Sequence, residues 1–546
     1  MSEPLTVPST LSQRLTQLLP AARDGRLGRL RRGIEKEGLR VEASGHIAQT
    51  AHPRALGSKL THPHITTDYS EALLEYVTPV LSEPREALAF LGDLHAYSYR
   101  HLEGEWIWPA SMPCRLSGND SVPIADYGRS NSGLMKHVYR RGLDVRYGRI
   151  MQAIAGVHYN VSLPDEMWQA LRAIEGQSDT ALSDYRSTRY FGLIRNFRRH
   201  SWLLLYLFGA SPAIDKSFLD GKRVPAKLEP LGEETYIAPY ATTLRMSDLG
   251  YQNTVQEQLK ICFNSLSNYV NTLRNAISTP WPDYQAKGVK VDGEWRQLNA
   301  NILQIENEYY SDIRPKRVAQ AGETPSQALE ARGVEYIEVR CLDLDPFEPL
   351  GVSEPQMRFL DTFLMWCLLS ESPWISDDEC DHLDDNRRLV VERGRDPALR
   401  LNKSGADIGL REWGEQIMTE MQPVAELLDA AEDATPHLDA IAALAPRLQD
   451  AALTPSARLL ARLREHGGSF ADVVMALAQE QADMLRRQPA TTTREALLEE
   501  QAVTSRQQQR EMDAADEPGF DDFLADYFAR ARQSRAVTPL GAGDAP

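Results

Sequence analysis

The chain has 546 residues, 42% hydrophobic and 25% charged, an ordinary globular composition long enough for a large core and more than one structural unit. Its formal net charge of −17 repels nucleic acid and anionic membranes, so an anionic substrate must be held by local Arg/Lys clusters or metal ions. No apolar run reaches the roughly 18–20 residues of a membrane span, and Met1–Thr10 lacks the apolar core of a signal peptide. The five cysteines are irregularly spaced with no CxxC pair, which predicts free thiols in a reducing, cytoplasmic compartment.

Residues 1–400 read as mixed α/β material with short alternating segments and many proline turn markers. Gly33–Val41 reads as a strand whose period of two puts Glu35 and Glu37 on one face. Thr66-Thr67-Asp68 precedes Glu71–Thr78, where the Tyr-Val-Thr-Pro ending favours a strand over a helix. Leu134–Leu143 reads as a helix with Tyr139 and Leu143 adjacent on one face, either as core or as a pocket wall. Gly156–Ser162 alternates Val157, Tyr159 and Val161 with His158, Asn160 and Ser162. Arg195, Arg198 and Arg199 fall on one face of an amphipathic helix, and Ser201–Phe208 reads as a short buried element. Tyr240–Tyr251 is a polar loop ending in a Gly-containing turn, suited to holding a small carboxylate. Arg314-Pro315-Lys316-Arg317 is the best local anion candidate, with a solvated basic loop as the plainer reading. In Glu335–Leu342, Ile337 and Val339 alternate with Glu338 and Arg340.

Repeated carboxylates plus one imidazole on apolar strands are costly unless paired or metal-bound. They suit a hard divalent cation shared with phosphate oxygens: Mg²⁺, or Mn²⁺, which also accepts imidazole. GxxxxGK[ST], a strand-linked GxGxxG, HExxH and GxSxG are all missing, which disfavours the common nucleotide folds, zinc proteases and α/β-hydrolases. Residues 401–535 turn rich in Ala, Leu, Glu, Gln and Arg with helical periodicity, as in Ala457–Leu463. The expected organisation is a catalytic body over 1–400, a helical lobe packed on it over 401–535, and a disordered tail over 536–546.

Eight strings in order resemble the proteobacterial form of glutamate–cysteine ligase: RRGIEKEGLRV (31–41), LTHPHITTDYSEALLEYVTPV (60–80), IWPASMPC (107–114), GVHYNVSLP (156–164), YLFGASPA (206–213), PYATTLRMSDLGY (239–251), LQIENEYYSDIRPKR (303–317) and GVEYIEVRCLD (333–343). The resemblance spans residues 20–375 and continues more loosely through the helical end. It implies an α+β fold of the glutamine-synthetase-like carboxylate–amine ligases: a curved, mostly antiparallel sheet forming a funnel-shaped active site, flanked by helices, here with a helical C-terminal lobe. It also implies joining of the L-glutamate γ-carboxylate to the L-cysteine α-amine with ATP, through an acyl phosphate, by a monomer. Glu35, Glu37, Asp68, Glu75, His158 and Glu338 look like the metal residues. Tyr139, Leu143, Arg245, Tyr251, Tyr310 and Arg340 look like the amino-acid and acyl-phosphate contacts, with Arg340 and Glu338 catalytic. Asn160, on the polar stripe, joins the substrate candidates, and Arg314 and Lys316 are the candidates for the nucleotide phosphates. Cys341 stands where a small hydroxyl residue is expected, and Lys36 and Gly38 depart between the metal carboxylates. A same-fold ligase acting on another amine, a non-catalytic relative and a metal phosphohydrolase stay open from the sequence.

Overall fold

The computed structural model describes residues 10–250, 255, 259, 261–320, 322–488, 492–515 and 518–532. Its centre is a seven-stranded sheet: β1 Arg31–Glu42, β2 Ile65–Thr67, β3 Leu73–Val77, β4 Glu105–Ile107, β5 Val157–Ser162, β6 Ile313–Lys316 and β7 Tyr336–Leu342. The order is β6-β7-β5-β1-β3-β2, with β4 paired to the end of β1. Every pairing is antiparallel.

Register decides what the sheet can do. Glu35 lies opposite His158 on β5, Glu37 opposite Glu75 on β3, and Glu338 opposite both Asn160 on β5 and Arg314 on β6. Directly opposed residues of an antiparallel pair point to the same side. The polar stripes of five strands therefore merge into one front face. A register shift between Val339 and Leu342 interrupts the β7–β5 ladder just where Arg340 projects; bulges of this kind re-aim side chains beside active sites.

The back face is apolar: Ile34, Tyr76, Val157, Tyr159, Ile337 and Val339 are fully buried. Helix α1, Pro84–His101, packs behind β1 and β3. The basic residues that alternate with them on β1 are partnered, as Arg40 is by Glu105 at 2.7 Å. Arg32 on β1 makes a 2.6 Å ion pair with Asp361 of a long helix, Glu354–Leu369, and the Tyr159 hydroxyl donates to the same carboxylate at 2.7 Å. Lys36 Nζ lies 2.9 Å from His95 Nε2 and 6.0 Å from the centre of the Tyr76 ring, and burial brings its ammonium down to about 7. Burial thus lowers the cost of losing the proton, the usual response of an ammonium without a carboxylate partner.

Two sequence readings change. Arg314-Pro315-Lys316 is a strand and not a basic loop. β6 is the edge of the sheet, where a residue without an N–H is tolerated. The helical run is prefaced by a two-stranded hairpin, Arg400–Lys403 with Ala406–Gly409. Beyond it, helices Leu410–Asp429 and Pro436–Leu444 pack on Glu354–Leu369. One hydrophobic core runs from Leu15 to Ala531. The expected tail, 536–546, lies outside the described residues. Among the described residues all five cysteines are free, and no helix is long and apolar enough to cross a membrane.

Candidate active site

The front face of the sheet floors a cavity of about 540 Å³, a size typical of small-molecule sites. Helix α2, Asn131–Tyr147, forms one wall. At the floor, ligand atoms of Glu35, His158 and Glu338 all lie within 4.8 Å of one another. His158 Nδ1 donates to Glu35 Oε2 at 3.2 Å and stands 3.8 Å from Glu338 Oε1, and His158 Nε2 is 3.8 Å from Glu37 Oε1. Glu37, Asp68 and Glu75 line the same cavity alongside. Asn160 is not a wall residue: it stands behind Glu35, its Nδ2 donating to Oε1 at 3.0 Å.

The charges on this floor are unbalanced in a patterned way. Burial pushes the Glu37 carboxyl up to about 8, and Asp68 beside it adds to the rise. Burial and then Asp68, Glu35 and Glu37 push Glu75 well above the usual carboxylate range. Across the floor the order reverses. Burial opposes the charge on Glu338, but Arg340, Lys316 and His158 override it and hold the carboxyl well below its ordinary value. Arg340 Nη1 donates to Glu338 Oε1 at 3.0 Å, and Lys316 Nζ stands 3.5 Å from Oε2. Burial, then Arg340, lowers the His158 pKa, favouring the neutral imidazole that a metal requires.

The donor set fits a divalent cation. Three oxygen- and nitrogen-bearing side chains converge, and Asn160 Oδ1 and Glu338 Oε2 are buried without a hydrogen-bond partner. Glu37, Asp68 and Glu75 crowd negative charge that a second positive centre would relieve. Arg314 and Lys316 line the cavity on the Glu338 side. The Arg314 guanidinium is tied back to the carbonyls of Asn307 and Tyr309.

The cavity also has aromatic and apolar lining. Tyr139 and Leu143 on α2, with Tyr310, supply part of it. Arg245 comes from the short turn Leu244–Met246 and is almost wholly buried. Its Nη2 donates to the Arg340 carbonyl at 2.9 Å, so the two arginines are locked to one strand. Arg245 lies flat over Gly156: a Cβ there would sit 2.2 Å from Nη2, which is why the segment ahead of β5 begins with glycine. The Tyr310 hydroxyl donates to Met246 Sδ at 3.0 Å. Tyr251 lies outside the described residues. The remaining substrate and phosphate candidates thus meet in one cavity, with the metal candidates on its floor.

Several cavity residues were not singled out from the sequence: Met135, Lys136, Ile305, Tyr309 and, from the last helix, Tyr527. Lys136 follows from α2 periodicity, being three residues before Tyr139 on the same face. Tyr527 had no local signal at all.

Carboxylates, an imidazole, arginines and tyrosines drawn into one cavity define a class of site, one suited to small charged molecules. The model of the glutamate–cysteine ligase family matches residues 15–390. The chain is 50% identical over 519 residues to glutamate–cysteine ligase of Pseudomonas aeruginosa (strain LESB58), covering 95% of this chain and 98% of that one. It is 49% identical over 520 residues to the enzyme of Azotobacter vinelandii, with the same coverage. Its structure superposes on the crystal structure of Francisella tularensis glutamate–cysteine ligase in complex with AMP with a TM-score of 0.86, at 36% identity, covering 92% of this chain and 98% of that one. A bifunctional glutathione synthetase from Pasteurella multocida shares the fold at TM-score 0.70 and 24% identity, over 90% of this chain and 57% of that one. The chain belongs to the glutamate–cysteine ligase family.

Proposed function

We propose that this cavity joins the γ-carboxylate of L-glutamate to the α-amine of L-cysteine, with ATP converted to ADP and phosphate. The observation that carries the reading is the pairing, on one sheet face, of a cation-type cluster (Glu35, His158, Glu338) with Arg340 hydrogen-bonded to Glu338 at 3.0 Å. A carboxylate is a poor electrophile at neutral pH. Transfer of the ATP γ-phosphoryl to the glutamate side chain gives an acyl phosphate, which the cysteine amine attacks and from which phosphate leaves. Phosphoryl transfer depends on positioning and on neutralising charge rather than on covalent chemistry by the protein.

Each residue then has a defined task. Glu35, His158 and Glu338 would hold one Mg²⁺ or Mn²⁺, and Glu37, Asp68 and Glu75 carry the charge to hold another. A bound divalent ion supplies Lewis-acid neutralisation of phosphate oxygens. Arg340, fixed by Glu338, presents a planar fork to the transferred phosphoryl and to the oxyanion that follows. Arg314 and Lys316 hold the phosphates. Arg245 and Tyr310 hold an amino-acid carboxylate, and Tyr139 and Leu143 offer carbon atoms to the cysteine side chain. Asn160 steadies Glu35 and so acts through it. Residues 1–400 and the helices beyond them serve as body and supporting lobe.

The test is product identification. Purified protein with Mg-ATP, glutamate and cysteine should release ADP only when both amino acids are present, with the dipeptide carrying a γ-linkage by mass fragmentation. ADP release that ignores glutamate would make the protein a phosphohydrolase. Release that needs glutamate but prefers another amine would keep the fold's chemistry and replace the second substrate.

A further inference from the structure

The family match covers residues 15–390. Helices Leu410–Asp429 and Pro436–Leu444 lie beyond it and pack on helix Glu354–Leu369, behind the sheet. Five polar side chains are buried together where these elements meet. They are Arg32 of β1, Tyr159 of β5, Asp361 of helix Glu354–Leu369, Asp429 at the end of helix Leu410–Asp429, and His437 in the first turn of helix Pro436–Leu444. Asp361 accepts from Arg32 Nη2 at 2.6 Å on one oxygen and from the Tyr159 hydroxyl at 2.7 Å on the other. Asp429 accepts the backbone N–H groups of His437 and Leu438, one on each oxygen at 3.2 Å, and lies 2.5 Å from His437 Nδ1. His437 Nε2 stands 3.8 Å from Asp361 Oδ2. It is buried and has no hydrogen-bond partner among the described residues.

Geometry sets the proton count of this cluster. Asp429 accepts N–H groups on both oxygens, as an ionised carboxylate does, so His437 Nδ1 carries the hydrogen of the 2.5 Å bond. A neutral ring would then keep a lone pair on Nε2, facing the Asp361 carboxylate across a dry interior. A proton on Nε2 turns that repulsion into attraction. Charge gives the same answer. With Asp361, Asp429 and Arg32 in place, an imidazolium brings the sum to zero, whereas a neutral ring leaves one buried negative charge uncompensated. Other charged groups of the packed elements turn elsewhere. Arg358, three residues before Asp361, goes to Glu354 at 3.1 Å, and Glu432 in the loop before His437 stands 3.9 Å from Arg29. Arg447 of the next helix, Pro446–Gln449, donates to the Leu207 carbonyl at 2.7 Å. Burial opposes the charge on His437, but Asp361 and Asp429 outweigh it and raise its pKa. We infer that His437 is an imidazolium latch: its proton clasps the helical lobe, through Asp361, to Tyr159 and Arg32 on the strands that carry His158 and Glu35, and alkaline pH opens it. The latch exists whatever substrates the cavity takes.

The sign of the pH effect follows from linkage. A histidine whose folded pKa stands above its unfolded value of about 6.5 stabilises fully below that value and loses the contribution as pH rises through the folded pKa. Amide hydrogen exchange of peptides covering Asp429–Leu444 is measured in the full-length protein and in His437→Gln, from about pH 6 to about pH 9. Glutamine keeps a donor for Asp429 and cannot carry the charge. The ratio of variant to wild-type rates at each pH cancels the intrinsic pH dependence of exchange. That ratio is expected to be about tenfold at the acid end, the size of one charge-assisted hydrogen bond, and to narrow as pH rises. Should His437→Gln fold poorly, Asp429→Asn keeps an oxygen for the start of helix Pro436–Leu444, removes one of the two charges that hold the proton, and must show the same narrowing. A ratio constant across the range would overturn the inference, because the ring would then act by shape alone. So would a ratio of one at the acid end, or a ratio that grows with pH, the mark of a ring buried neutral. ADP release, measured separately, bears on the ligase reading alone.

Discussion

Single side chains on the front face separate binding from chemistry. Glu338 is buried, bonded to Arg340 and 3.8 Å from the imidazole of His158. Glu338→Gln keeps its shape and removes the charge that a cation and Arg340 both need. Glutamate-dependent ADP release is expected to fall by at least about 10²-fold, as for other single electrostatic groups in catalysis; near-normal rates at saturating Mg²⁺ would take Glu338 out of the site. Arg340 is different because its fork, rather than its charge alone, matches a phosphoryl group. Arg340→Lys is therefore expected to lower kcat more than it raises the KM for ATP. Steady-state kinetics with both amino acids saturating reads this directly, and a change confined to KM would make the residue a passive contact.

The same logic at the level of elements rests on α2 and the strands it faces. In the proposed reading, Leu143 and Tyr139, adjacent on one helix face and both lining the cavity, offer carbon walls to the amine substrate, and a thiol behaves against such walls as a small hydrophobe. 2-Aminobutyrate, which replaces the thiol by a methyl group, is expected to serve as the amine with kcat/KM within about 10²-fold of cysteine. Serine should be clearly worse, because its hydroxyl loses water without gaining a partner. Serine outperforming 2-aminobutyrate would mean a polar pocket. Elements were also the level at which the sequence spoke most clearly. Strict alternation in Gly33–Val41, Gly156–Ser162 and Glu335–Leu342 gave strands with the right residues on one face, because period two survives any tertiary context. Three things escaped. Pro315 between two cations looks like a loop unless the strand is known to be an edge. Asn160 alternates correctly with His158, but only the register against β1 shows that it bonds to Glu35. Tyr527 could not be found from periodicity, since its place in the cavity depends on helix Phe520–Arg532 packing on α2.

On the scale of the whole molecule, one sheet divides two kinds of interior. Behind it lie apolar side chains, the Arg32–Asp361 pair and a Lys36 brought down to about 7 by burial. In front lie six metal-type ligands, among which burial, and then mutual repulsion on the Glu37–Asp68–Glu75 side, raises the Glu37 and Glu75 carboxyls. A protein with net charge −17 attracts ATP only where that repulsion is reversed, so the account stands or falls on cations bound at this floor. The most direct test is anomalous diffraction from crystals grown with Mn²⁺ and ADP. A manganese peak is expected in contact with the carboxylates of Glu35 and Glu338 and the imidazole of His158. Ordered ADP in the cavity with no manganese at those three residues would contradict it.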